Sequence, residues 1–150
     1  MQSPGKVGLS TAFGMFSRQP MKKLSWNDIK QEQLSPQLAR RFVSGSGATL
    51  ARFELKKGCV VPMHHHQNGQ LTWVVGGCLR FTWQGGEPID VRAGEVLVIP
   101  PNVPHAAEAI EDTVVTDVFS PARDDWASGD RKSTRLNSSH IQKSRMPSSA

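Results

Sequence analysis

Little in this sequence could cross-link the chain or carry it through a membrane. The 150 residues include only two cysteines, Cys59 and Cys78, and no CxxC pair. Two thiols are too few for a disulfide framework, so both are expected to be buried and reduced, which implies a cytoplasmic setting. No run of about 18 apolar residues occurs, which leaves no candidate for a membrane-spanning helix. Residues 1–20 contain Lys6 and Arg18 and no acid, yet they lack the continuous apolar stretch of a cleaved signal peptide.

A charge of one sign is also missing from the middle of the chain. The net charge of +5 comes from the ends: residues 130–150 carry five cations against Asp130 alone, and residues 1–20 add two more. The interval 21–129 holds eleven cations and twelve acids. A nucleic-acid-binding protein needs a basic face on its folded part, and 21–129 offers neither a sign of one nor a helix-turn-helix pattern. Nucleic acid is not an expected partner.

The ends differ from the middle in pattern too. Residues 130–150 have no apolar periodicity and are rich in Ser, Lys and Arg, which reads as disorder. The stretch Asp130 to His140, DRKSTRLNSSH, resembles the conceptual translation of a short-read sequencing adapter, and SRMPSSA resembles its continuation. An artefactual tail is therefore expected over 130–150 in place of the natural C-terminus, and His140 is set aside from every site argument. MKKLSWNDI, from Met21, looks like a natural start, which makes residues 1–20 a non-core extension. Ser25 followed by Asp28 predicts a short capped helix reaching about Gln31.

What the middle does contain is strands. ATLARFEL, QLTWVV, CLRFTW, EVLVIP and TVVTDVF are short, rich in β-branched and aromatic residues, and bounded by glycine or proline. Breaks at Gly76-Gly77, Gly85-Gly86 and Gly94 recur every eight or nine residues, which favours an antiparallel sandwich or barrel over βαβ units. The expectation is one all-β domain over 21–129, a small antiparallel barrel formed by about 40–120. In QLTWVV, Leu71, Trp73 and Val75 lie opposite Gln70, while Val74 shares Gln70's face. A strand apolar on both sides needs a second cover, so a homodimer is expected.

Five histidines are present, and three stand together in PMHHHQNGQLTWVVGG. Each alone reads as an ordinary loop residue. On a strand, however, His64 and His66 project to one face and His65 to the other. Gln70 opens the next strand after the QNG turn, within reach of the same centre, and His105 follows the rigid approach IPPNVP. The spacing Gly58, His64-x-His66, Gln70, Gly77, and then Gly94, Pro100, His105, resembles the two signature motifs of the cupin superfamily, over Phe42 to Ser120. The departures are Gln70 for the usual glutamate, Asn102 for a glycine and Ala109 for the final asparagine. The resemblance implies a double-stranded β-helix and one divalent metal (Zn, Mn, Fe or Ni) held by His64, His66, Gln70 and His105, the last-named glutamine through its amide oxygen. Neutral donors would leave the full +2 charge on the ion, favouring Lewis acidity, with coordination positions open for substrate.

A second constellation follows in TDVFSPARDDW. Asp117 and Phe119 share a strand face, and SPA lets Arg123 fold back. An acid, an aromatic plate and a guanidinium beside a metal suit an anionic, ring-shaped small molecule. The bland alternative makes Phe119 core and Arg123 part of a solvated loop. With HxHxxxQ upstream, this ending resembles the single-domain cupins typified by pectin-degradation proteins that convert 4,5-unsaturated uronates to linear 4-deoxy keto-uronates. That resemblance implies Asp117 as the catalytic acid/base, with Phe119 and Arg123 binding the substrate. Two other classes stay open: an Fe-dependent dioxygenase or a lyase on a small organic acid, betrayed by oxygen consumption in the first case, and a non-catalytic sugar-binding or sensor cupin.

Overall fold

Short β-branched runs cut by glycine and proline turns become strands that return on one another. The computed structural model describes residues 20–127; apart from Pro20, the expected extension over 1–20 and the expected artefactual tail over 130–150 fall outside the described residues. The strands are β1 (Glu32–Ser35), β2 (Leu38–Ser44), β3 (Thr49–Leu55), β4 (Val60–His64), β5 (Gly69–Gly76), β6 (Cys78–Trp83), β7 (Ile89–Arg92), β8 (Val96–Ile99), β9 (His105–Ala109) and β10 (Thr113–Ser120). A short helix, α1 (Asp124–Ala127), follows. Every pairing is antiparallel, in a six-stranded sheet ordered β1-β2-β3-β10-β5-β8 and a four-stranded sheet ordered β4-β9-β6-β7. The architecture is the expected all-β jelly-roll barrel.

The core lies between the sheets. Leu55, Val74 and Val115 from the larger sheet meet Leu79, Phe81 and Val91 from the smaller one. Burying each of these side chains contributes about 1.5–3 kcal/mol over leaving it in water. Period two then decides what else faces inward. On β10 the buried residues are Thr113, Val115, Asp117 and Phe119; on β5 they are Gln70, Thr72 and Val74. The interior is thus apolar around Val115 and Val74 and polar around Asp117 and Gln70. Both cysteines are buried and unpaired, as expected.

Two details differ from the sequence expectations. The capping box of Ser25 and Asp28 is present, but it starts only a 3-10 turn, Trp26–Asp28, because Ile29 is already extended. One turn without a packed apolar face does not propagate. The sheet begins earlier than residue 40, since the polar run Glu32–Ser35 pairs with β2; backbone hydrogen bonds, not side-chain alternation, make it a strand. On β3 Ala51, with no exposed surface, faces inward, while Leu50 is 37% exposed.

The outer face of the larger sheet carries unusual apolar surface. Leu71, Trp73 and Val75 are 45%, 50% and 43% exposed, and the neighbouring Val96 and Val98 are 59% and 67% exposed. The register sets Leu71 opposite Val98 and Trp73 opposite Val96, so these residues form one patch. No helix among the described residues is long and apolar enough to cross a membrane.

The corner between β5 and β6 depends on a glycine. Gly77 has a φ of +89°, and a Cβ there would stand 2.3 Å from the Asp112 carbonyl oxygen and 2.5 Å from Thr113 Oγ1. The same Thr113 hydroxyl bonds the Cys78 backbone on both its N–H and its C=O. Gly77→Ala is expected to lower stability by roughly 2–4 kcal/mol through strain and overpacking. Chemical denaturation would check this; a midpoint within error of wild type would count against the steric account.

Candidate metal centre

Strand pairing builds the first half of the centre. β4 and β9 run antiparallel with His64 directly opposite His105, the last residue of one strand and the first of the other. His66 lies beyond the end of β4, so simple strand alternation does not place it. A loop contact does: the Asn102 N–H donates to the His66 carbonyl at 2.8 Å. Asn102 adopts a left-handed φ of 64°, which asparagine tolerates nearly as glycine does, and this accounts for the substitution at that motif position. The ring centroids of His64 and His105 are 4.4 Å apart, those of His66 and His105 5.2 Å, and those of His64 and His66 5.6 Å. Ligand atoms from all three lie within 4.8 Å of one another, so the cluster could hold a metal ion. His65 is exposed and outside it.

Each ring is fixed by its own local backbone. Nδ1 of His64 bonds the Pro62 carbonyl at 2.7 Å, Nδ1 of His105 the Val103 carbonyl at 2.8 Å, and Nδ1 of His66 the Asn68 carbonyl at 2.9 Å. Since a carbonyl only accepts, each Nδ1 carries the proton, and each Nε2 keeps a lone pair. Nε2 of His105 is buried with no hydrogen-bond partner, and Nε2 of His66 faces another acceptor, Gln70 Oε1, at 3.0 Å. Burial lowers all three imidazole pKa values; His64 falls to about 4, although its Pro62 bond opposes the shift and the His105, His66 and Arg123 charges add to it. Converging neutral lone pairs, one of them otherwise orphaned, are what a divalent cation requires.

Gln70 is oriented to join them. Its amide nitrogen donates to Thr72 Oγ1 at 2.8 Å and to Asp117 Oδ2 at 3.4 Å, which turns Oε1 toward His66. The residues therefore fit a metal with four neutral donors: His64, His66, His105 and Gln70.

The second constellation adjoins the first. Asp117 pairs across the sheet with Thr72, and Phe119 with Gln70. Asp117 is buried; its Oδ1 has no hydrogen-bond partner, and burial pushes the carboxyl up to about 7 against a hydrogen bond from Thr72. The Phe119 ring stands edge-on to His66 at 5.6 Å. Arg123 does fold back: its N–H donates to Thr49 Oγ1 at 2.8 Å, and its guanidinium lies 5.2 Å from the Phe119 ring centre. The guanidinium is not a bare solvated group, because Nε and Nη2 donate to the Asp125 carboxylate at 3.0 and 2.8 Å. Arg123 in turn holds the Asp125 carboxyl below its usual range.

Four contributors escaped the sequence reading. Asn68, 6% exposed, orients His66 through its carbonyl and bonds the Pro121 carbonyl through its side-chain amide; in QNG it reads as a turn residue. Thr72 could have been found, since it is two residues from Gln70 on the same strand face. Trp126 and Arg40 are far apart in sequence, and no local pattern announces their contact.

Substitution separates ligands from bystanders. His64→Ala and His105→Ala are each expected to lose most bound metal, and the double variant essentially all of it. His65→Ala should keep wild-type content. Elemental analysis of purified protein measures this, and full metal in the double variant would remove the centre assigned above.

Comparison with known proteins agrees with this geometry. Residues 51–119 match the model of the family described as Cupin domain. No curated protein sequence matches the chain. Among solved structures, KdgF from Halomonas sp. is 28% identical with a TM-score of 0.62, covering 67% of this chain and 94% of its own. An RmlC-like cupin from Shewanella frigidimarina NCIMB 400 is 25% identical with a TM-score of 0.65, covering 71% and 96%. Bacillus subtilis oxalate decarboxylase, an enzyme with Mn(II) centres, shares the fold at 22% identity and a TM-score of 0.59, over 65% of this chain and 29% of that one. Matched domain, jelly-roll topology and histidine cluster agree, and residues 51–119 carry a cupin domain.

Proposed function

We propose that this cupin is a metal-dependent enzyme acting on a small carboxylated sugar acid, with linearisation of 4,5-unsaturated uronates as its reaction. The observation that carries the reading is the unpartnered, buried Oδ1 of Asp117, a residue joined through Gln70 to His66 of the histidine cluster and sharing its strand face with Phe119. The resemblance of HxHxxxQ and DVFSPARDDW to the uronate-processing cupins supports it, as does the likeness to KdgF from Halomonas sp..

The chemistry needs no redox partner. Opening the ring breaks the bond between the anomeric carbon and the ring oxygen, takes the proton of the anomeric hydroxyl, and delivers one proton to carbon 4 of the enol. In this reading Asp117 carries that proton, accepting it on Oδ1 and returning it to the carbon. Phe119 packs on the sugar ring, and Arg123 binds the carboxylate. His64, His66, Gln70 and His105 would hold a divalent metal, which when bound would supply Lewis acidity to the sugar oxygens.

Kinetics on unsaturated galacturonate test this. Asp117→Asn should lower kcat by about 10²–10⁴-fold. Arg123→Ala should mainly raise KM, and Arg123→Lys should not restore it, because an ammonium lacks the planar fork. A wild-type rate equal to the spontaneous reaction would overturn the uronate assignment in favour of another small acid or a binding role.

A second copy of the chain is the proposed cover for the apolar outer patch. The patch spans the paired strands β5 and β8 and consists of flat aliphatic and indole surface, which can bury against its own symmetry mate. Sedimentation should give a dimer for wild type and a monomer for Trp73→Glu. A wild-type monomer at high concentration would remove the dimer from the proposal.

A further inference from the structure

The proposed function needs a carboxylate anchor, but a lone arginine on a connecting segment would sweep many rotamers. Here the guanidinium of Arg123 is fixed on an edge and on a face. The Asp125 carboxylate takes Nε and Nη2 side-on. The ring of Trp126 lies 4.2 Å from the guanidinium carbon. Neither contact uses Nη1. The side chain is only 13% exposed, and its charge is felt by both His64 and His66.

Trp126 is itself held from several directions. The guanidinium carbon of Arg40 also lies 4.2 Å from its ring centre, so two cations share one indole. Arg40 is buried on the inner face of β2 and tied to Glu32 of β1. The Phe42, Phe53 and Phe119 rings meet Trp126 edge-on at 5.6, 6.2 and 5.1 Å. A like-charged pair close to one ring is tolerated because the indole face attracts both cations and each has its own carboxylate. The net result is a plate anchored in the larger sheet, against which Arg123 is laid.

We infer that Asp125 and Trp126 are positioning residues that fix Arg123 with its Nη1 edge available to an anionic substrate beside the histidine cluster. The inference rests on the proposed carboxylate-anchoring role of Arg123. Asp125 sets the in-plane rotation of the guanidinium, and Trp126 sets its plane; Arg40 backs Trp126 from the barrel wall. The arrangement selects carboxylated sugars over neutral ones, because a neutral sugar gains nothing from an oriented fork.

Calorimetric titration with galacturonate and with its neutral counterpart galactose separates this from a merely structural role. Wild type should prefer galacturonate. Asp125→Asn and Trp126→Leu should each weaken galacturonate binding about five- to tenfold and leave galactose unchanged. Trp126→Phe, which keeps an aromatic face, and Asp125→Glu, which keeps the carboxylate, should recover most of the preference. All variants should retain wild-type metal content, and in turnover of unsaturated galacturonate the losses should appear in KM with kcat nearly unchanged. Galacturonate binding by Asp125→Asn equal to or tighter than wild type would overturn the inference, the tighter case making Asp125 a competitor for the fork. Equal affinity of wild type for the two sugars would overturn it as well. Turnover by wild type with an unaltered KM in both variants defeats the positioning role and leaves the uronate reaction standing. Selective binding without turnover defeats the reaction and leaves the positioning role standing.

Discussion

Three short hydrogen bonds, each from an imidazole Nδ1 to a carbonyl two residues away, organise the polar end of this barrel. Each consumes the proton that would otherwise be free to move between the two ring nitrogens. With that proton committed to Pro62, Val103 or Asn68, the opposite nitrogen can only offer a lone pair to the interior. Burial works in the same direction by keeping the rings neutral. The donor set is therefore fixed before any ion arrives, by contacts that lie almost within the residues' own backbone.

Strand alternation extends that order across the barrel. β10 carries Val115, Asp117 and Phe119 on one face, so an apolar core residue, a buried carboxyl and an aromatic ring are spaced by the pleat itself. Gln70 links the parts: its oxygen meets a histidine, its nitrogen meets Asp117 and Thr72. A glutamate in that position could not donate to Asp117 when ionised. The amide thus serves two neighbours with opposite needs, and a carboxylate kept at a pKa of about 7 by burial has a donor beside it.

Much of this was legible in the sequence because it is local or periodic. The glycine-bounded strands, the inward run of β10 and the both-sided apolar character of QLTWVV follow from spacing, and the grouping of His64, His66, Gln70 and His105 from the resemblance to the cupin motifs. The helix after Ser25 was overextended because a capping signal says where a helix starts and nothing of what it packs against. β1 was missed because an edge strand can be held by its backbone alone. His66 reaches the cluster by way of Asn102, and Trp126 meets Arg40, through contacts whose sequence separation leaves no periodic trace.

His64, His66 and Gln70 occupy one seven-residue stretch that joins β4 to β5, while His105 stands across the sheet from its first member. A single inserted or deleted residue in that stretch would shift three donors at once, and a change of one residue at the start of β5 would also turn Gln70 to the outer face. The connections at the apolar end, such as the one between β7 and β8, carry no donor and answer to no such limit. Length variation is therefore permitted unequally at the two ends: one end can accumulate insertions over evolutionary time, and the other must keep its residue count even while its residue types change.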